Sequence, residues 1–109
     1  MDHTFKLPPR LAAIAALVPD GAHLADVGTD HALLPIRLLL DGRIQSAVAT
    51  DIRPGPFSRA KENAYSAGVQ NLSCILCDGL TGVSPGSADT VVIAGMGGEI
   101  ITGILRAAP

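Results

Sequence analysis

Four stretches of this 109-residue chain end an apolar run in residues able to do chemistry: Asp26-Val27-Gly28-Thr29-Asp30, Thr50-Asp51, Asp78-Gly79 and Ala94-Gly95-Met96-Gly97-Gly98. Asp and Gly are common in turns and helix caps, which accounts for any one of these and poorly for all four. Asp51 lies 23 residues after Gly28, a spacing at which an acidic residue accepts hydrogen bonds from a ribose diol. NAD and S-adenosylmethionine both carry such a diol. They differ at the first turn. A pyrophosphate needs bare backbone amides and the positive end of a helix, whereas S-adenosylmethionine brings an ammonium and a sulfonium beside its carboxylate. Asp30 stands where a dinucleotide site would carry glycine, so it suits a cationic ligand or a transition state that gains positive charge. Asp78 suits an adenine amino group, with Gly79 letting the backbone approach the ring.

These residues need elements to position them, and the apolar periodicity supplies an alternating series. "LPPRLAAIAALVPDG" places Leu7, Leu11, Ile14 and Val18 at helical spacing behind two prolines suited to a first turn, and stops at Pro19-Asp20-Gly21. "AHLADVG" predicts a short buried strand, and 32–40 a helix that tolerates Pro35 only in its first turn. That helix gives Asp30 a second possible role, as its N-cap. "IQSAVATDI" is strand two, "PGPFSRAKENAYSAG" a helix closed by Gly68, and "LSCILCD" strand three. "GLTGVSPGSA" has the composition of a loop, "DTVVIAG" is strand four, and "GEIITGILRAA" opens another helix. Such alternation with continuous apolar strands predicts a parallel sheet covered on both faces and joined by right-handed crossovers. Ligands of such sheets sit at the carboxyl ends of the strands, where the four stretches fall.

Composition excludes several classes. A formal charge of −2 with eight scattered Lys and Arg is no basic footprint for nucleic acid. No stretch reaches the roughly 18 consecutive apolar residues of a membrane span, and the N-terminus lacks the pattern of a signal peptide, so no membrane partner and a cytoplasmic location are expected. Cys74 and Cys77 form C-x-x-C, but a structural zinc site needs a second pair of ligands. Both are expected to be buried thiols on a strand, with no metal.

"LPPRLAAIAALVPDG", "LADVGTDHALLPIRL", "GPF", "CDGL" and "DTVVIAGMGGEII" together resemble the bacterial tRNA (adenine(22)-N(1))-methyltransferase family, a class I group that uses S-adenosylmethionine. The most specific parts are the G-[ST]-D-H-A-x-L-P first turn and I-A-G-M-G-G after strand four. The resemblance implies an α/β, Rossmann-like parallel sheet and cofactor contacts from Asp26, Gly28, Asp51, Asp78 and the turn from Gly95 to Gly98. Thr29, Ile52, Gly79, Ala94, Gly95, Met96 and Gly97 complete the cofactor candidates. It places Asp30 near the transferring methyl as the catalytic candidate, with His31 and Arg10 as candidates for substrate contact. Members generally continue into further strands and a helical C-terminal region that helps hold tRNA, so residues 1–109 are expected to be the N-terminal part of the cofactor-binding domain, with strand four as an apolar edge open to self-association. Outside this family, the alternatives are a methyltransferase for another RNA or a small molecule, a NAD-binding module, and a cofactor-binding remnant without catalysis.

Overall fold

The structure, a computed structural model, describes residues 5–29, 31–94, 102–103, 105–106 and 108. The element order is α1 (Pro9–Leu17), β1 (Ala22–Val27), α2 (Leu33–Leu40), β2 (Ile44–Asp51), α3 (Pro54–Ala67), β3 (Leu72–Leu76) and β4 (Thr90–Ile93). The strands form one sheet in the order β3-β2-β1-β4, and every adjacent pair is parallel. Strand order reverses beside β1. The register sets Val27 opposite both Thr50 and Ile93, and Asp51 opposite Leu76. The carboxyl ends therefore finish level with one another, and the residues that follow them share one rim.

The two faces are covered differently. Leu24, Ala47 and Val92 face one side and pack with Ala15 of α1 and Leu34 and Leu38 of α2. Ile36 of α2 and Ala60 of α3 extend that layer with Phe5. On the opposite face, Ala25 and Val27 meet Leu80 and Val83 from the β3–β4 connection, and no residue of the three helices joins them. The sheet is covered on both faces as expected, but among the described residues its second cover is mainly the β3–β4 loop, joined by Ala108. The run 78–89 has too few apolar positions for a helix, and Leu80 and Val83 serve as its two anchors.

Arg43 shows how the first helix is held. Its guanidinium donates to the carbonyls of Val18 (2.6 Å) and Ala15 (3.3 and 3.4 Å) and pairs with Asp20. Both carbonyls lie at the carboxyl end of α1, where Ala15 also accepts the Val18 N–H at 3.2 Å, and a cation there complements the helix dipole. One residue before β2 thus fixes α1 beside the sheet.

The largest departure from local expectation lies at the start of α2. The residue at its N-cap is Ala32, in the left-handed region at φ 59°, with no side-chain cap. The helix therefore begins one residue later than the spacing suggests. Ala32 is fully buried beside Phe5, Ile36 and Ala60. Ala32→Val is expected to destabilise the fold by about 2–4 kcal/mol, because a β-branched side chain is disfavoured at positive φ and the added methyls overpack the site. Ala32→Gly relieves strain of about 1–2 kcal/mol but loses a buried methyl, so it is expected to be close to neutral. Urea melts of the two variants check this ordering.

Candidate functional site

A cleft of about 830 Å³ opens along the common rim of the strands, within the range of small-molecule sites. Asp26, Gly28 and Thr29 line it from β1, Thr50, Asp51 and Ile52 from β2, Cys77, Asp78 and Gly79 from β3, and Ala94 from β4. Pro8, Arg10 and Leu11 close it from the start of α1, and His31 stands on the loop before α2. All of the expected cofactor and substrate candidates within the described residues line this one cleft. Asp30, Gly95, Met96 and Gly97 lie outside the described residues, as does Gly98.

Two buried carboxylates dominate the chemistry. Asp26 sits within β1, and its Oδ2 accepts the Thr29 hydroxyl at 2.7 Å. Burial pushes its pKa up to about 6; the Thr29 hydrogen bond opposes this, and the negative charge of Asp51 adds to it. Asp51, the last residue of β2, accepts the backbone N–H of Arg53 at 3.1 Å, an Asx-type turn into α3, with Arg53 Nε 3.9 Å from the same oxygen. Two like charges facing one cleft favour a cationic ligand group between them.

The backbone of the first turn is already committed. Gly28 turns the chain at φ 67°, a conformation that glycine adopts at little cost. The Thr29 N–H then donates to the Thr50 carbonyl at 2.9 Å, and the Ala32 N–H to the Thr29 carbonyl at 3.2 Å. Two amides beside this turn, those of Thr29 and Ala32, are thus spent inside the protein and are not offered to an anion. At the third strand end, Gly79 takes φ 58° and its carbonyl accepts the buried Thr50 hydroxyl at 3.0 Å. Asp78 is exposed at the rim.

Sequence reasoning left several cleft residues without a role. Thr50, completely buried and singled out only as the neighbour of Asp51, ties the second strand end to the third through its hydroxyl. Arg53 could have been found, since an Asp two residues before a helix start invites an Asx turn. The cysteines require a correction. Cys74 lies in β3 and Cys77 just beyond it, both half-buried and neither in a disulfide. Cys77 reaches the cleft because the chain leaves the sheet there; its N–H bonds the Asp51 carbonyl at 3.0 Å. Among the described residues no cluster of three or more His, Cys, Asp or Glu is arranged to hold a metal ion, and no helix is long and apolar enough to cross a membrane.

The sequence and architecture have counterparts among known proteins. The tRNA (adenine(22)-N(1))-methyltransferase of Bacillus subtilis (strain 168) is 42% identical over 103 residues, 94% of this chain and 43% of that protein. The crystal structure of the B. subtilis m1A22 tRNA methyltransferase TrmK matches with a TM-score of 0.91 at 41% identity, covering 94% of this chain and 44% of that one. The structure of M. capricolum TrmK in complex with S-adenosyl-homocysteine matches at 0.85 with 36% identity, covering 92% and 46%. The chain thus spans less than half the length of these relatives, the same group that "GTDHALLP" and "IAGMGG" resemble. Its four-stranded parallel sheet with helices is the Rossmann-like fold of these methyltransferases. A family model described as a methyltransferase domain matches residues 7–109, and the chain belongs to that family.

Proposed function

We propose that this chain is the N-terminal, cofactor-binding part of an S-adenosylmethionine-dependent methyltransferase that acts on N1 of an adenine in tRNA. The observation that carries the cofactor choice is the pairing of the buried carboxylates Asp26 and Asp51 in one cleft, beside a turn whose Thr29 and Ala32 amides are bonded within the protein. That arrangement suits an ammonium and a ribose diol and is poorly suited to a pyrophosphate. The substrate class rests on the relatives, which are named as tRNA methyltransferases.

When bound, S-adenosylmethionine supplies a methyl group activated by its sulfonium. Asp26 would face the ammonium, Asp51 the ribose hydroxyls, and Asp78 with Gly79 the adenine edge, while Ile52, 62% exposed, offers an apolar surface to the ring. Thr29, Ala94, Gly95, Met96 and Gly97 complete the cofactor assignment. The ring nitrogen of the substrate base needs no deprotonation before attack. Asp30 therefore acts by stabilising positive charge on the methylated adenine or by accepting an exocyclic proton. Arg10 and His31, both exposed at the mouth of the cleft, are assigned to the approaching RNA. β4 is an edge strand among the described residues and Val91 on it is 44% exposed; self-association is assigned to that edge. The protein is assigned to the cytoplasm, where its substrate would be.

Calorimetry with S-adenosylhomocysteine and NAD tests the cofactor assignment. Binding of the first without the second is expected; binding of NAD alone would replace the reading with a dinucleotide-binding module. The same titration repeated across pH tests Asp26. Its folded-state pKa of about 6 lies above its ordinary value of 3.8, so the folded protein holds the proton more tightly than the unfolded chain does. The stability this contributes is complete below about 3.8 and is lost as pH rises through about 6. A cationic ligand group reverses the preference, because it pairs with the ionised carboxylate. Affinity is therefore expected to rise about tenfold from pH 5 to pH 7. Asp26→Asn should flatten that profile and raise the melting temperature of the ligand-free protein at neutral pH. An unchanged profile would remove Asp26 from the ligand.

A further inference from the structure

Asn63 lies on α3, outside every role assigned above. Its Nδ2 donates to the backbone carbonyl of His31 at 2.8 Å, across 32 residues of sequence. The loop it reaches is bracketed by two left-handed positions, Gly28 at φ 67° and Ala32 at φ 59°. Hydrogen bonds anchor its first part: Thr29 N–H to the Thr50 carbonyl, and the Thr29 hydroxyl to Asp26. The contact from Asn63 comes from the opposite side, from a different helix, at the residue just before the strained Ala32. Strained backbone persists where its surroundings over-determine it. The geometry points to Asn63 as a positioning residue: its amide clamps the His31 carbonyl to α3 and so sets where Thr29 and His31 stand along the cleft.

The clamp acts on the backbone, and Asn63 does not line the cleft, so it is a positioning residue and not a catalytic one. It matters for function through the reading that this cleft takes S-adenosylmethionine, with Asp30 on the same loop beside the reacting methyl. Its consequence for the loop is separable from that reading. A half-buried amide that merely decorated the surface would change overall stability slightly and leave the loop's local opening unaltered. A clamp does the opposite, since local opening is governed by the contacts of the segment itself.

The test uses the 109-residue chain with hydrogen exchange read by mass spectrometry on peptides covering residues 28–33 and on peptides from β1 and β2. Asn63→Asp keeps the size but replaces the donor with an oxygen, and Asn63→Ala removes the donor without adding charge. Both are expected to speed exchange in 28–33 by about tenfold or more while β1 and β2 exchange as in the parent. Both should weaken S-adenosylhomocysteine binding by a similar factor, and Asn63→Gln, which keeps a donor, should recover part of each effect. Parental exchange in 28–33 in either folded variant would overturn the assignment, as would faster exchange spread evenly over the strands. If the parent does not bind S-adenosylhomocysteine, the methyltransferase reading fails, and the exchange comparison still decides the role of Asn63.

Discussion

Asp30→Asn is expected to lower methyl transfer to tRNA by about 10² to 10⁴-fold, the range for loss of a group that moves a proton or stabilises charge in the transition state. The assay requires the protein at the full length of its relatives, because this chain covers 43% of the curated one. The substitution keeps the shape of the side chain and removes only its charge, so cofactor affinity should change far less than turnover. A capping role would give a different pattern. Asparagine caps about as well as aspartate, so a cap would leave Asp30→Asn active and would show itself only as lower stability in Asp30→Ala. Parental turnover in Asp30→Asn, with lower stability in Asp30→Ala, would therefore end the catalytic assignment in favour of a cap.

Asp51→Ala should weaken S-adenosylhomocysteine binding by about 1.5–3 kcal/mol, or roughly 10- to 150-fold, the scale of hydrogen bonds to a charged group. The residue is 5% exposed, and the cost should appear in binding more than in folding. Removing it takes a negative charge away from Asp26, whose own ionisation it opposes. The substitution also deletes the Asx turn that Oδ1 makes with the Arg53 N–H, and this calls for a control. Asp51→Asn retains an oxygen acceptor for that turn but loses the charge, so its affinity should fall between those of the parent and the alanine variant. Calorimetry measures the binding, and circular dichroism checks that α3 still forms. Unchanged affinity in a folded Asp51→Ala would take this carboxylate out of the site.

Most of the architecture is determined by local sequence. Apolar runs closed by Asp and Gly made β1, β2 and β4 legible. Prolines in the first turns of α1 and α3 and Gly68 behind α3 marked helix limits, because the chemistry of a turn or cap depends on residues within a few positions. The alternation of elements implied a parallel sheet, and a parallel sheet collects its strand ends on one rim. Asp26, Asp51 and Asp78 could therefore be assigned to a common site before any geometry was known. What only the tertiary structure decided depends on residues far apart in the chain. The loop cover on the second face, with Leu80 and Val83 as anchors, arises because a sheet needs apolar area from any source, and helix periodicity does not report a loop. Ala32 takes a positive φ that its residue type disfavours because its methyl is enclosed by Phe5, Ile36 and Ala60 from three separate segments. The raised pKa of Asp26 follows from burial and from Asp51 on the neighbouring strand. The reach of Arg43 to Val18 and Ala15 at the end of α1 and of Asn63 to His31 spans 25 to 32 residues. A side chain's partner at that distance is chosen by packing, and residue type and local spacing carry no record of it.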